Sequence, residues 1–526
     1  MDHLPLRALG LLVLGLGLGC GVQDETFGVA LVPPANPLPN PGEQVVFQVQ
    51  SQGGGTVRYQ WLHNGVAIAG ATAPTFVLGP VTLADGGSYQ VQATDGGATR
   101  VTPAFDLEPA DAAWTVTSAA DSGPGTLRDI LAQANGAQGV NGIQFDLGPA
   151  APDGSYTIRL AAALPPVTGS VRVLGPYQHP LTLDAGGASR PFFVQGGTLV
   201  LDGFTVANGL AKGGDALGGG GAAAGMGGAL FINGGGASLV RMTFQGNQAL
   251  GGSSGPGGDG EAGGGGGFGG DSPAQGGNGA GGGLLGGAGG FGILDGTGQG
   301  GPAVGGSGGG GGGASRGGLL GEPEPSWIAN LEGGEGDWGG GGGFAVGPLG
   351  GGGNARFGGG GGGSGGVAAI AGVEFRFPGG SSGLGGFCGG DGSTGDGAGR
   401  PGQGGGGGGL GGAVFLRAGT LALSQCVFQG NRAEPGNGAE PGLGKGGALF
   451  IYPLVNQAPM AATMFLAQTY SGNQAADPGV ENPATDNNDY YIAQADLQAL
   501  ARTSPIGLRY QRYRQFRRRP GAPPGR

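Results

Sequence analysis

Gly227-Gly228-Ala229-Leu230-Phe231-Ile232 leads to Phe244-Gln245-Gly246-Asn247-Gln248-Ala249, and the same two phrases return as Gly411-Gly412-Ala413-Val414-Phe415-Leu416 and Phe428-Gln429-Gly430-Asn431-Arg432-Ala433. From the first glycine to the asparagine is 20 residues both times. A third copy runs from Gly446-Gly447-Ala448-Leu449-Phe450-Ile451 to Ser471-Gly472-Asn473-Gln474-Ala475 over 27 residues, its extra length lying between matched ends as a loop would. Such a unit is too short for a strand–helix–strand crossover but suits one turn of a solenoid, whose neighbouring strands lie about 4.8 Å apart. The apolar residues of each copy are then expected to stack inward, with Asn247, Asn431 and Asn473 at one structural turn. Asparagine suits that corner because it tolerates a left-handed backbone and can hydrogen-bond to its equivalents in successive coils.

Upstream, short β-rich runs separated by Gly, Pro and Asp continue the pattern: Tyr156-Thr157-Ile158-Arg159-Leu160, Val171-Arg172-Val173-Leu174, Leu181-Thr182-Leu183, Leu199-Val200-Leu201 and Phe204-Thr205-Val206. Before them, Thr126 with Asp129 makes a capping-box start, and Leu127, Ile130, Leu131 and Ala134 share one helical face. A helix of this kind can plug the open end of an apolar tube. The entry Asp121-Ser122-Gly123-Pro124-Gly125-Thr126-Leu127-Arg128-Asp129, the Gly-Gly-Ala-Leu-Phe phrase and the Phe-Gln-Gly-Asn-x-Ala phrase resemble those of bacterial right-handed parallel β-helix surface proteins. Within that group the chain is similar to polymorphic-outer-membrane-protein-type and choice-of-anchor repeat proteins. The resemblance implies a first β-helix part over 114–250 with its capping helix and a second over 411–495.

Residues 28–109 carry a different pattern. Gln44-Val45-Val46-Phe47-Gln48-Val49-Gln50 approaches period-two alternation, Asn64-Gly65 supplies a tight hairpin turn, and Asp85-Gly86-Gly87-Ser88-Tyr89-Gln90-Val91 follows. This order, with Trp61 between, resembles the immunoglobulin fold. Val49 and Val91 then stand where its disulfide cysteines would be, and Trp61 would pack over them. His63, beside the turn, is expected to be a solvated ring. The expected class is therefore all-β: a right-handed parallel β-helix preceded by an immunoglobulin-like β-sandwich, with a long glycine-rich insertion.

That insertion spans 251–410 and holds 79 of the 139 glycines in this 526-residue chain. No Gly-X-Y period runs through it, so collagen is excluded, and with 11% charged residues the chain is no charge-driven disordered protein. Ordering so much glycine costs backbone entropy with little side-chain burial in return, so a loose excursion from the solenoid is expected, a packed polyglycine bundle being the rival. Its aromatic residues, Phe357 and Phe387 among them, suit either anchoring to the solenoid wall or contact with sugars.

Residues 1–20 combine Arg7 with the apolar run Ala8–Leu14 and end in Gly17-Leu18-Gly19-Cys20, which reads as an export signal too short to span a bilayer stably. The end resembles the bacterial lipobox, with Gly17 where that motif usually has Leu. The resemblance implies lipidation of Cys20 and an anchor in the membrane; ordinary signal cleavage is the alternative. Cys388 and Cys426 then remain, too few for a disulfide framework but enough for one bond. The tail, 496–526, bears eight arginines and no acid after Asp496. It reads as a solvated, disordered extension. The net charge of −11 gives the body of the chain no reason to bind nucleic acid.

Catalytic chemistry has few candidates. A glycoside hydrolase needs paired carboxylates and a lyase a base, usually with Ca²⁺. The acids Asp146, Asp153, Asp184 and Asp202 are isolated in sequence. Asp184 and Asp202 each follow a Leu-x-Leu run, 18 positions apart, and are expected on adjacent coils, making turn hydrogen bonds or, alternatively, holding Ca²⁺. His179 reads as a surface turn residue and Cys426 as core. No catalytic residue, metal or cofactor is assigned. The function expected is adhesion: an exported protein of the cell envelope, outer membrane or cell surface that binds polysaccharide or another surface protein. A polysaccharide-degrading enzyme and an envelope stalk are the alternatives.

Overall fold

The computed structural model describes residues 27–256 apart from 33, 35–38, 53–55, 177 and 217. It further describes 336–338, 341 and 352–492 apart from 365, 371–372, 378–380, 399, 452–460, 466–467 and 480–484. The leader with Cys20 and the arginine-bearing tail lie outside the described residues. The chain divides into two compact units, Met1–Asp111 and Ala112–Arg526.

The first unit is two antiparallel sheets around one core. Gly28–Val32, Val45–Gln52 and Thr75–Leu78 form one; Val66–Ala67, Arg58–His63, Gly87–Asp95, Ala98–Val101 and Phe105–Leu107 form the other. Along Val45–Gln52, Val45, Phe47 and Val49 are buried while Val46, Gln48 and Gln50 are exposed, as a strand with one wet face requires. Val49 and Val91 share the core with Trp61, Tyr89, Val81 and Leu107. Trp61 Nε1 donates to Ala73 O at 2.9 Å, and Tyr89 OH donates to Asp85 O at 2.9 Å, so both aromatic polar ends are satisfied. The Asn64-Gly65 turn has both residues left-handed, at φ 51° and 77°, and closes the His63–Val66 pair.

The second unit is mostly β, with parallel sheets and, among the described residues, one α-helix. A ten-stranded sheet runs in order from Ala112–Val116 through Val140–Phe145, Ser170–Leu174, Thr198–Asp202, Leu230–Val240, Val414–Ser424 and Leu449–Ile451 to Tyr490–Ile492, and Phe192–Val194 and Ala461–Phe465 complete it. A six-stranded sheet takes Tyr156–Arg159, Leu181–Asp184, Thr205–Ala207, Thr243–Gln245, Val427–Gln429 and Thr469–Ser471. Four- and three-stranded sheets take the shorter runs at Leu210–Lys212, Gln248–Leu250, Arg432–Glu434 and Gln474–Ala475, and at Gly225–Met226, Gly409–Leu410 and Gly444–Lys445. From Gly225 on, each pass of the chain lays a strand in each sheet, and equivalent repeat residues pair directly: Leu230 with Val414 and Leu449, Phe244 with Phe428 and Tyr470.

One apolar core fills the space between the sheets, holding Ile158, Leu183, Val206, Phe244, Phe428, Leu230, Ile232, Val414 and Leu416. The helix Leu127–Gly136 packs Leu127, Ile130, Leu131 and Ala134 into the same core. Thr126 caps it by accepting from Asp129 N, and Asp129 accepts from Gly125 N at 2.9 Å.

The repeat phrase buries its apolar residues on two sides, which corrects the expectation that all point inward. In Leu230-Phe231-Ile232 the outer two enter the main core, and Phe231, by strand alternation, faces away. Phe193, Phe231, Phe415, Phe450 and Tyr491 thus stack in a ladder across the back of the ten-stranded sheet, with ring centroids 4.6 to 5.2 Å apart. Ala224, Met226, Leu410, Phe357 and Cys388 cover it.

The covering layer is glycine. Backbone hydrogen bonds run across five segments, from Gly436 N to Gly407 O, Gly407 N to Gly252 O, Gly252 N to Ala223 O and Ala223 N to Gly214 O, all within 2.8 to 3.0 Å. A Cβ on Gly221 would strike Gly360 O, and one on Gly405 would strike Gly390 O. For the described stretches 352–364 and 381–410, the loose excursion is therefore corrected: most of these residues are buried and hydrogen-bonded backbone to backbone. Only chains without side chains approach so closely, and the aromatic ladder beneath supplies apolar contact that the glycines lack. Phe357 and Phe387 anchor the layer, stacked on each other at 5.7 Å.

Candidate binding face

The outer face of the six-stranded sheet is the largest regular polar surface in the second unit. Ile158, Leu183, Val206, Phe244 and Phe428 point into the core, so the residues on either side of each point outward. The first outward column is Thr157, Thr182, Thr205, Thr243, Val427 and Thr469, aligned strand to strand. The second is Arg159, Asp184, Ala207, Gln245, Gln429 and Ser471. Thr157, Thr469, Gln245 and Gln429 are exposed, and Thr182, Thr205 and Thr243 half-buried. Sequence reading named these strands but not the columns, because only the pairing register aligns one pass with the next.

Asp184 lies in this face. Its carboxylate accepts from Asn208 Nδ2 at 2.9 Å and from Gly186 N at 3.0 Å. The Asn208 amide, helped by Gly186 N–H and the Arg159 charge, holds the carboxyl below its usual range against an opposing effect of burial. Asp202 is on the ten-stranded sheet instead, paired with Leu174 and Val240, so the two acids do not stack: 18 residues carry the chain only from one sheet to another. Burial pushes the Asp202 carboxyl up, opposed by a two-point ion pair to Arg241 at 2.7 and 2.9 Å. The arrangement ties two strands together and offers no shared cation site.

At the edge of the face, beside the start of Tyr156–Arg159, a shallow cavity of about 310 Å³ is lined by Phe145, Asp146, Leu147, Tyr156, Pro176, Gln178 and His179. His179 Nδ1 lies 2.8 Å from Gly154 O, and its ring meets Tyr156 edge-on at 5.4 Å. His63, in the first unit, is likewise more than a solvated ring: it stacks on Tyr89 at 4.6 Å with Nε2 3.1 Å from Gly86 O.

The asparagine corner is a buried ladder. Asn431 Oδ1 accepts from Asn247 N and Nδ2 at 3.0 and 2.9 Å, and Asn473 Oδ1 accepts from Asn431 N and Nδ2 at the same distances. Each Nδ2 also donates to the carbonyl of the strand behind it: Val206, Phe244 and Phe428. The left-handed residue at the corner is the preceding glycine, at φ 63 to 64° for Gly246, Gly430 and Gly472, which corrects the conformational reason given for asparagine. These residues hold the scaffold together rather than meeting a ligand. Cys426 is buried in the main core, its thiol donating to Leu239 O at 3.2 Å, while Cys388 sits under the glycine layer; the two do not bond to each other.

Scans against protein-family models and curated proteins find no match. Among solved structures, the chain is similar to crystal structures of the N-terminal four Ig domains of Dscam1, isoforms 4.44 and 6.9. The identities are 21% and 20%, the TM-score is 0.14 for both, and the match covers 16% of this chain and 20% of each of those chains. The chain thus spans about a fifth of the length of the structures it matches.

Proposed function

We propose that this is an exported, non-catalytic surface protein in which an immunoglobulin-like module accompanies a right-handed parallel β-helix, held to the membrane through lipid on Cys20, and that it acts in adhesion. One observation carries the reading. The back of the ten-stranded sheet is sealed by a glycine layer, whereas the six-stranded sheet leaves an ordered polar face open to solvent. A rigid scaffold with one open, repetitive face suits recognition of a repetitive partner, polysaccharide or surface protein. Parallel pairing of every repeat, in order, supports the β-helix. The test incubates the full chain with polysaccharides and envelope fractions, then measures retention and newly released chain ends. Retention without release is expected. Released ends would overturn the reading in favour of a lyase or glycoside hydrolase. Labelled fatty acid should enter the wild-type chain and not Cys20→Ser.

A further inference from the structure

Resting on that surface-binding reading, we infer that the open face takes an extended, neutral polysaccharide, laid across the strands along the threonine column. Thr157, Thr182, Thr205, Thr243 and Thr469 occupy five of six aligned positions, so hydroxyls recur at about the 4.8 Å strand spacing. That repeat is close to the length of one pyranose ring in an extended β-linked chain, so each sugar can meet an equivalent donor and acceptor. The pairing runs through all six strands without a register shift, which keeps the column straight. Among the described residues, no side-chain partner within the protein engages these five hydroxyls. The parallel column adds Gln245, Gln429 and Ser471, whose polar groups suit a second row of sugar hydroxyls.

Charge selects the class of glycan. Arg159 and Asp184 are the formal charges in the two columns, and they are direct cross-strand neighbours of opposite sign. An acidic polymer would gain at Arg159 and lose at Asp184, whereas a neutral one needs neither. The cavity beside Tyr156 and His179, at the first strand, offers ring faces on which a sugar can stack at one end of the track.

The test compares the wild-type full chain with the triple variant Thr182→Val/Thr205→Val/Thr243→Val on cellulose, chitin and β-1,3-glucan, with alginate and polygalacturonate as acidic controls. Val427 already stands in this column, so valine fits the site, and circular dichroism with thiol protection checks the fold. Retention on at least one neutral glycan is expected, weakened roughly tenfold or more in the triple variant and little changed by salt. Gln248→Leu, on the four-stranded sheet, should bind as wild type. Equal binding by the triple variant, or salt-sensitive retention on the acidic glycans alone, would overturn the inference. Capture of an envelope protein with no neutral glycan held would overturn it while sparing the surface-binding reading. Retention of nothing would sink both.

Discussion

Asn431 uses its whole side-chain amide inside the stack, two acceptances at Oδ1 and two donations from Nδ2. Asn431→Ala would strand Asn247 N and Nδ2 and the Phe244 carbonyl away from water, so a loss of about 3 kcal/mol is expected in denaturant unfolding. Gly430→Ala, by contrast, meets no atom and suffers only its left-handed φ of 63°, so about 1 kcal/mol is expected. Equal losses in the two variants would refute the ladder as a source of stability. Burial pushes the Cys426 thiol up to about 11 from its ordinary 9.0. A folded-state value above the unfolded one favours the folded protein below pH 9, and that contribution fades as pH rises toward 11. Cys426 should accordingly resist thiol reagents at pH 8 until the chain unfolds, which timed labelling with and without denaturant would show. The asparagine positions were legible from the 20-residue offset alone. Their conformation was not, because Gly-Asn is a pair and spacing does not tell which member takes the left-handed turn.

Strands are where legibility divides most clearly. The buried face of Leu127–Gly136 and the alternation of Val45–Gln52 are periodic patterns, and both were readable from period alone. Leu230-Phe231-Ile232 is apolar throughout, so no period marked Phe231 as belonging to a second core. The glycine layer was less legible still, since a surface without side chains writes no pattern; it exists because the aromatic ladder needs a cover. Phe415, with ring neighbours at 5.2 and 5.0 Å, is the centre of that contact. Phe415→Ala should cost about 3–5 kcal/mol and raise dye binding to exposed apolar surface. Gly405→Ala should act alike, because its methyl would enter the space of Gly390 O. Protease sensitivity at 381–410, rising in both variants and unchanged in Gly430→Ala, would place the damage in the layer.

For the molecule as a whole, the two units have separate cores, one around Trp61 and one running between the parallel sheets. Residues 22–111 made alone should therefore melt at the temperature of the corresponding transition in the full chain, and calorimetry of both would check this. The ladder also bears on the time course of folding. Asn247 and Asn431 touch in the stack yet stand 184 residues apart along the chain. Everything from the capping helix to residue 250 can settle by short-range closure as it emerges, but the next pass must wait for residue 411 to arrive. Closing so long a loop adds only slowly to the entropic cost, so the delay is one of rate rather than stability. A chain that folds from its amino end thus holds a half-built stack, its growing edge bare, for as long as the glycine segment takes to follow.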